Sequence, residues 1–351
     1  MRLRRGGAEW LLVLGSLLFL IAIGALAELA VRGFSDIDLL GNSRNLFVAN
    51  AYGTSNGNAP NAEASSFGKV IYTDEHGFRV PKGGLPEDVG KREAILILGD
   101  SVGFGPAVDE EDTFAGLLRK RFADRRIYNS SVIGYTASDY RNVVETFLPL
   151  HDEVKAIVLV YCLNDVVAAT SENIDRHLDA QEPAQEAPKK NLTETLRSFR
   201  LLSDVNDYLR TRSKLYLFLR HRLLRTQLRD WKLLLEYYDP GRPTDVERSA
   251  RDVAAVAAAA KARGIPLVVV LAPWEYQLRK PDDSESQIPQ RRLGDLLSKE
   301  GVMFIDARPW FDAGVPSTDY FLGYDPMHFS ALGHRVIAEG IAAALAHRET
   351  G

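Results

Sequence analysis

Short apolar runs alternate along the chain with longer stretches whose apolar residues recur at helical spacing. AILILGD (94–100) is a run without period, as expected of a strand covered on both faces. DTFAGLLRKRF (112–122) has helical spacing, and RRIYNSSVIG (125–134) returns to strand. KAIVLVYCLND (155–165) is the next strand and ends in polar residues. VERSARDVAAVAAAAKARG (246–264) predicts an alanine-rich helix stopped by Gly264, with a strand following at IPLVVVLAP (265–273). RRLGDLLSKEG, VMFIDARPWF and SALGHRVIAEGIAAALAHR continue as helix, strand and long closing helix. Such alternation predicts an α/β fold with a parallel, doubly wound sheet and helices on both faces. Chemistry in these sheets gathers at the carboxyl ends of the strands.

Two parts of the chain depart from this pattern. At the N-terminus, Arg2, Arg4 and Arg5 precede eighteen uncharged residues from Trp10 to Ala27. As a helix that run covers ~27 Å, close to the ~30 Å hydrocarbon core of a bilayer. Arginines before it, and only Arg32 close behind, predict a basic cytoplasmic N-terminus over 1–8 and a transmembrane signal-anchor helix over 9–31. The remainder is then extracytoplasmic, that is, periplasmic. Ala25-Leu26-Ala27 also has the form of a cleavage site, so a cleaved, secreted form is the alternative. The run is long for a signal peptide and resumes at Leu29-Ala30-Val31, which favours the uncleaved anchor. Residues 32–90 are rich in Gly, Asn, Ser and Pro and predict an irregular lead-in, with the main domain at 91–350.

The second departure is an insertion at 171–240. It opens with the polar run SENIDRHLDAQEPAQEAPKKN and continues as a helical stretch rich in Leu and Arg. Residues 191–235 hold ten Lys or Arg against four Asp or Glu, an excess that suits anionic lipid or an acidic membrane-protein partner. Helices packed on the domain with solvated arginines would read the same way.

Composition adds exclusions. Over 351 residues, 46% hydrophobic and 26% charged residues describe a folded chain, and a formal charge of −4 gives no sign of a nucleic-acid partner. A single cysteine, Cys162, excludes an internal disulfide and a zinc site built from several thiolates.

The strand ends offer a different chemistry. They deliver Gly99-Asp100-Ser101, then Gly134, then Asn164 and Asp165, and YDPMHFSALGH puts Asp325 three residues before His328, ahead of the last helix. A serine hydroxyl is a poor nucleophile unless an imidazole takes its proton, and that imidazole needs a carboxylate to fix its tautomer. A tetrahedral intermediate needs donors for its oxyanion, which backbone N–H groups and an Asn amide can supply. Elsewhere, His334 reads as packed or surface, and His151, His177, His221 and His347 as surface. Asp165 reads as a support for the loop around Asn164, Cys162 as a reduced strand residue, and Trp274 as a core or rim tryptophan.

GDSVGFG, the NSSVIG segment, the LND segment and DPMH match in order the four blocks of the SGNH hydrolases, also called GDSL esterases/lipases. The chain resembles that family over about residues 94–345. DEHGFRVP (74–81) is similar to a lead-in of its membrane-anchored bacterial members. The resemblance implies a three-layer α/β/α sandwich with a five-stranded parallel sheet (flavodoxin-like SGNH fold), preceded by one N-terminal transmembrane helix. It further implies Ser101 as nucleophile, His328 as general base and Asp325 as its orienting carboxylate. The oxyanion hole would be formed by the backbone N–H groups of Ser101 and Gly134 and the Asn164 amide, without metal or cofactor. Cys162 stands where the third block usually has glycine, and Val102 where many members have leucine. The activity implied is hydrolysis of an acyl ester of the cell envelope, an O-acetyl glycan or a lipid. Alternatives are an O-acyltransferase that uses the same acyl-enzyme on envelope polysaccharide, and a scaffold subunit of a membrane complex.

Overall fold

The computed structural model describes residues 5–34, 39, 41–86, 92–166, 205, 208, 209, 211–224, 243–323 and 325–349. In chain order the helices are α1 (Arg5–Phe34), α2 (Ser101–Phe104), α3 (Phe114–Arg121), α4 (Ala137–Phe147), α5 (Lys214–Leu224), α6 (Pro243–Ala262), α7 (Glu275–Arg279), α8 (Ile288–Lys299) and α9 (Ala331–Glu349). The strands are β1 (Phe47–Tyr52), β2 (Ser55–Asn58), β3 (Glu63–Ser66), β4 (Lys69–Thr73), β5 (Arg79–Val80), β6 (Ala94–Gly99), β7 (Arg126–Asn129), β8 (Val154–Tyr161), β9 (Leu267–Leu271) and β10 (Phe304–Asp306). The chain divides into two compact units, Met1–Gly41 with Glu186–Arg225, and Asn42–Gln185 with Thr226–Gly351.

The second unit is built on a five-stranded sheet in the order β10-β9-β8-β6-β7, with every pair parallel. All six residues of β6 are buried, which explains the missing period in AILIL: helices cover both faces, so neither face is polar. The chain enters at β6, steps to β7 on one side, then crosses to β8, β9 and β10 on the other. Helix α3 packs against α9, while α4 packs against α6 and α6 against α8. Right-handed crossovers require this division, because connections running in opposite directions along a parallel sheet lie on opposite faces. The result is the expected three-layer α/β/α sandwich with a flavodoxin-like strand order. The reversal of direction falls between β6 and β8, whose register pairs Gly99 with Val160.

Three expectations need correction. The strand expected over 125–134 ends at Asn129; beyond it Ser130 N–H and Val132 N–H still donate to Ile97 O (3.0 Å) and Gly99 O (3.2 Å). The apolar helix is longer than 9–31, running from Arg5 to Phe34. The lead-in is not irregular, for residues 47–80 form a β1–β2 hairpin and an antiparallel β3–β4–β5 sheet. Segments such as SNGN and EASS carry no apolar alternation, because the side chains these strands bury are mostly polar or small: Ser55, Asn58, Ala64 and Ser66. The few buried apolar ones matter. Leu46, Ala64 and Ile71 share a small core with Phe104 of α2, so the compact unit begins at Asn42 and not near residue 91.

The first unit holds α1 and α5. The most apolar eighteen-residue stretch of Leu12–Phe34 has a mean hydropathy of 2.4, and this segment is long and apolar enough to cross a membrane; a signal sequence has the same properties. Of the insertion expected at 171–240, only 205, 208, 209 and 211–224 lie among the described residues, so most of the basic stretch 191–235 lies outside them. Glu28 of α1 accepts from Ser213 Oγ (2.7 Å) and from the Lys214 and Leu215 backbone N–H groups (both 2.9 Å). Its carboxylate therefore satisfies the free donors at the start of α5, the role a local N-cap side chain usually plays. Arg32 donates to Glu28 and to Arg212 O (both 2.7 Å), Phe34 meets Phe218 edge-on at 5.7 Å, and Val31 is buried. Replacement of Glu28 by Ala should loosen the first turn of α5. Hydrogen exchange on the detergent-solubilised chain should show Lys214 and Leu215 amides exchanging about tenfold faster, the equivalent of losing one cap.

Candidate active site

Strand β6 ends at Gly99, and the chain turns at once into the single turn of α2. Asp100 caps that turn: its Oδ1 accepts from Val102 N–H at 2.8 Å. Ser101 is the first helical residue, so its own N–H has no acceptor within the helix. Two glycines make the turn possible. A Cβ on Gly103 would lie 2.4 Å from Ser131 Oγ, since the segment after β7 passes directly over α2. Gly105 closes α2 with φ of 73°, where a side chain is strained.

His328 lies ahead of α9 and reaches back to this turn. Its Nε2 is 2.8 Å from Ser101 Oγ and its Nδ1 is 2.6 Å from Asp325 Oδ2. Asp325 Oδ1 also accepts the backbone N–H groups of Met327 (2.8 Å) and His328 (3.2 Å), which fixes the carboxylate. With Nδ1–H donating to a carboxylate, the neutral imidazole leaves Nε2 as acceptor for the Ser101 hydroxyl. That hydroxyl also lies 3.3 Å from Asp100 Oδ2, but one proton serves one acceptor at a time, and the 2.8 Å contact is the closer.

The electrostatics agree with the geometry. Burial works against ionising Asp325, yet the facing imidazole and the hydrogen bonds from His328 and Met327 outweigh it and bring the carboxyl down to about 2. Burial likewise disfavours the imidazolium of His328, but the Asp325 carboxylate, with a smaller push from Asp100, raises its pKa above the ordinary value. Asp100 itself is pushed up by burial, against the pull of its bonds from Asn164 and Val102.

Asn164 follows β8 and is buried. Its Nδ2 donates to Asp100 Oδ2 at 2.8 Å, across the point where the sheet reverses direction. One of its two amide hydrogens is thus committed to Asp100, leaving the second for another acceptor. Asp165 supports the loop as expected, accepting from Cys162 N–H (2.9 Å) and Tyr140 OH (2.7 Å). Gly134 lies in the turn between β7 and α4 at the same edge. Ser101, His328 and Asp325 are therefore brought into one hydrogen-bonded chain, with Asn164 joined to it through Asp100.

Cys162, Trp274, His334 and His151 are packing residues. Cys162 is fully buried, burial pushes its thiol pKa up, and it receives Trp274 Nε1–H at 3.1 Å. Trp274 is wholly in the core. His334 is buried, with its Nδ1 accepting Phe114 N–H at 3.3 Å, and burial drives its pKa down to about 3. His151 is not a surface residue as expected: it stacks on Phe147 at 3.7 Å and bonds Glu153 at 2.8 Å. His347 is exposed, and His177 lies outside the described residues. Among the described residues no group of three or more His, Cys, Asp or Glu is arranged to hold a metal.

Two contributors were not foreseen. Asp100 could have been found from the strong preference of aspartate for helix N-caps. Phe67, from the β3–β4 hairpin, meets the His328 ring edge-on at 5.9 Å, and nothing in its local sequence announces it.

No family model matches the chain, and no curated protein matches it. Its fold is similar to that of several solved structures. One is TesA, at 14% identity with a TM-score of 0.42, covering 72% of this chain and 98% of that one. A second is a catalytic mutant of Axe2, an acetylxylan esterase from Geobacillus stearothermophilus, at 14% identity and TM-score 0.40, covering 71% and 92%. A third is a GDSL-like lipase from Bacteroides thetaiotaomicron, at 12% identity and TM-score 0.39, covering 75% and 93%.

Proposed function

We propose that the chain is a serine hydrolase of the SGNH type that cleaves an acyl ester through a Ser101 acyl-enzyme. The observation that carries this reading is the unbroken run of bonds from Ser101 Oγ through His328 to Asp325, at 2.8 and 2.6 Å. Ser101 Oγ attacks the ester carbonyl carbon while its proton passes to His328 Nε2. The carbonyl oxygen becomes an oxyanion, for which the Ser101 N–H, the Gly134 N–H and the uncommitted Asn164 amide hydrogen are the assigned donors. Removing one such donor typically costs ~3 kcal/mol of transition-state stabilisation. As the C–O bond to the alcohol breaks, His328 returns the proton to the departing oxygen. Water then repeats the sequence on the acyl-serine and releases the acid.

The N-terminal apolar helix supports an extracytoplasmic setting, in which the substrate is an acylated glycan or lipid of the cell envelope. An acyltransferase would share every step up to the acyl-enzyme. With an alcohol acceptor added, the ratio of acid to new ester reads which nucleophile takes the acyl group.

Ser101→Ala, assayed on the full detergent-solubilised chain with a chromogenic short-chain ester, should lose on the order of 10⁶ in kcat. Activity at the wild-type level in that variant would refute the reading. The pH dependence follows from the sign of the His328 shift. Only the neutral imidazole accepts the serine proton, and Asp325 stabilises the charged form. The acid limb of kcat/KM should therefore have its midpoint above the ordinary histidine value of ~6.5. In Asp325→Asn the midpoint should move down, with kcat reduced on the order of 10⁴ because the tautomer is no longer fixed.

A further inference from the structure

Phe67 occupies a conformation that its side chain resists. The β3–β4 hairpin pairs Ser66 with Lys69, leaving a two-residue turn of Phe67 and Gly68 at φ of 47° and 80°. Two successive positive φ angles are the requirement of a type I′ turn, where Asn-Gly or Gly-Gly is the usual pair. Phenylalanine is a poor choice for the first position, since a bulky side chain in the left-handed region is uncommon and costly. Strain of this kind persists where the surrounding structure imposes it, and it gathers at ligand clamps and active sites.

The surroundings do impose it. Lys69 Nζ bonds Asp109 at 2.7 Å, Ser66 Oγ bonds Asn42 Oδ1 at 2.7 Å, and Ser43 N–H donates to Ser65 O at 2.8 Å. Ala64 and Ile71, on the two strands of the hairpin, pack with Phe104 of α2, the helix that begins at Ser101. The hairpin tip is thus held in register with the serine, and its half-buried ring stands edge-on to the His328 imidazole, 5.9 Å between centroids at 77°.

Resting on the esterase reading, we infer that Phe67 is a specificity-determining residue for the alcohol half of the ester. His328 Nε2 must deliver its proton to the departing alcohol oxygen, so the alcohol has to lie beside the imidazole when the C–O bond breaks. The acyl carbon is bonded to Ser101 at that moment. A ring fixed against His328 therefore borders the leaving alcohol and not the acyl chain. An aromatic wall there favours alcohols with an apolar ring or face over small ones.

The test compares wild type, Phe67→Gly and Phe67→Tyr as full-length chains in detergent. Glycine suits the positive φ and removes the ring, so the turn should persist; tyrosine keeps the ring. One substrate series holds the acyl group as acetate and varies the alcohol (methyl, cyclohexyl, benzyl); the other holds 4-nitrophenol and varies the acyl chain (acetate, butyrate, octanoate). For Phe67→Gly, kcat/KM for benzyl acetate relative to methyl acetate should fall about tenfold, the discrimination one apolar contact usually gives, while ratios along the acyl series stay within twofold. Phe67→Tyr should keep the wild-type alcohol preference. An unchanged alcohol ratio in Phe67→Gly overturns the inference, as does a shift confined to the acyl series. A uniform loss on all esters with a lowered melting temperature assigns Phe67 a structural role only and also overturns it. A wild-type chain inert to both series overturns the esterase reading together with this one.

Discussion

Parallel pairing of β6 with β8 sets Gly99 against Val160, and everything that follows these strands inherits that register. Asp100 and Ser101 leave one strand where Cys162, Leu163 and Asn164 leave its neighbour, so side chains some sixty residues apart in sequence meet at the sheet's edge. The contact that closes the gap is Asn164 Nδ2 to Asp100 Oδ2, 2.8 Å long and fully buried. In open α/β sheets such a reversal of strand order is where ligands generally bind. Asp100 ties the ends of β6 and β8 together while capping α2, so one carboxyl group orients the serine and a candidate oxyanion donor together.

The Asp325–His328 pair shows the same coupling from both ends. The carboxyl is held at about 2 and the imidazole is raised, each because the other is charged or polarised beside it in a buried place. The consequences for folding run in opposite directions along the pH axis. The depressed carboxyl contributes stability that is present above its ordinary value and disappears as the pH falls toward about 2. The raised imidazole contributes stability that is present below its ordinary value and is lost as the pH climbs through its folded one. Folding is thus helped most where the imidazole is charged, whereas proton abstraction from Ser101 needs it neutral. A site built this way trades part of its stability for a base that is ready to act.

Much of this was legible in the sequence, and the reasons are physical. Strands covered on both faces lose their polar alternation, so AILIL and LVVVL stand out as unbroken apolar runs. The chemistry at their ends is legible because serine, histidine, aspartate and asparagine fall in the order that one parallel sheet can bring together. The hairpins of 47–80 were not legible. Their strands are two to six residues long and much of what they bury is polar or small, such as Ser55, Asn58 and Ser66, so neither period nor hydrophobicity marks them. Phe67 was hidden for a further reason: its importance lies in a turn conformation against phenylalanine's preference and in a ring contact 261 positions away in the chain. His151 was misjudged because a histidine without a nearby partner pattern looks solvated, whereas it stacks on Phe147.

The buried arginine of the GFR segment explains why a polar lead-in belongs to the catalytic unit. Arg79 is fully buried, and its guanidinium donates to the carbonyls of Phe104 and Gly105 (both 2.7 Å) and Val108 (2.6 Å). Burial lowers its pKa to about 10, which still leaves it charged at neutral pH. A buried cation costs several kcal/mol unless hydrogen bonds and nearby opposite charge compensate it. Here three carbonyls do so directly, with the fields of Asp109 and Glu111 behind them, while neighbouring Arg119 pairs with Glu110 and donates to Arg79 O at 2.8 Å. The carbonyls that Arg79 holds belong to the end of α2 and the loop beyond it, where α2 is too short to satisfy its own acceptors. With Asp100 fixing the start of α2 and Arg79 its end, the four-residue helix that presents Ser101 is clamped at both termini by buried polar side chains. Such a short helix has no stability of its own. The position of the Ser101 hydroxyl is therefore a property of β5, β6 and β8 together, and the segment that looks like a spacer in the sequence supplies half of the clamp.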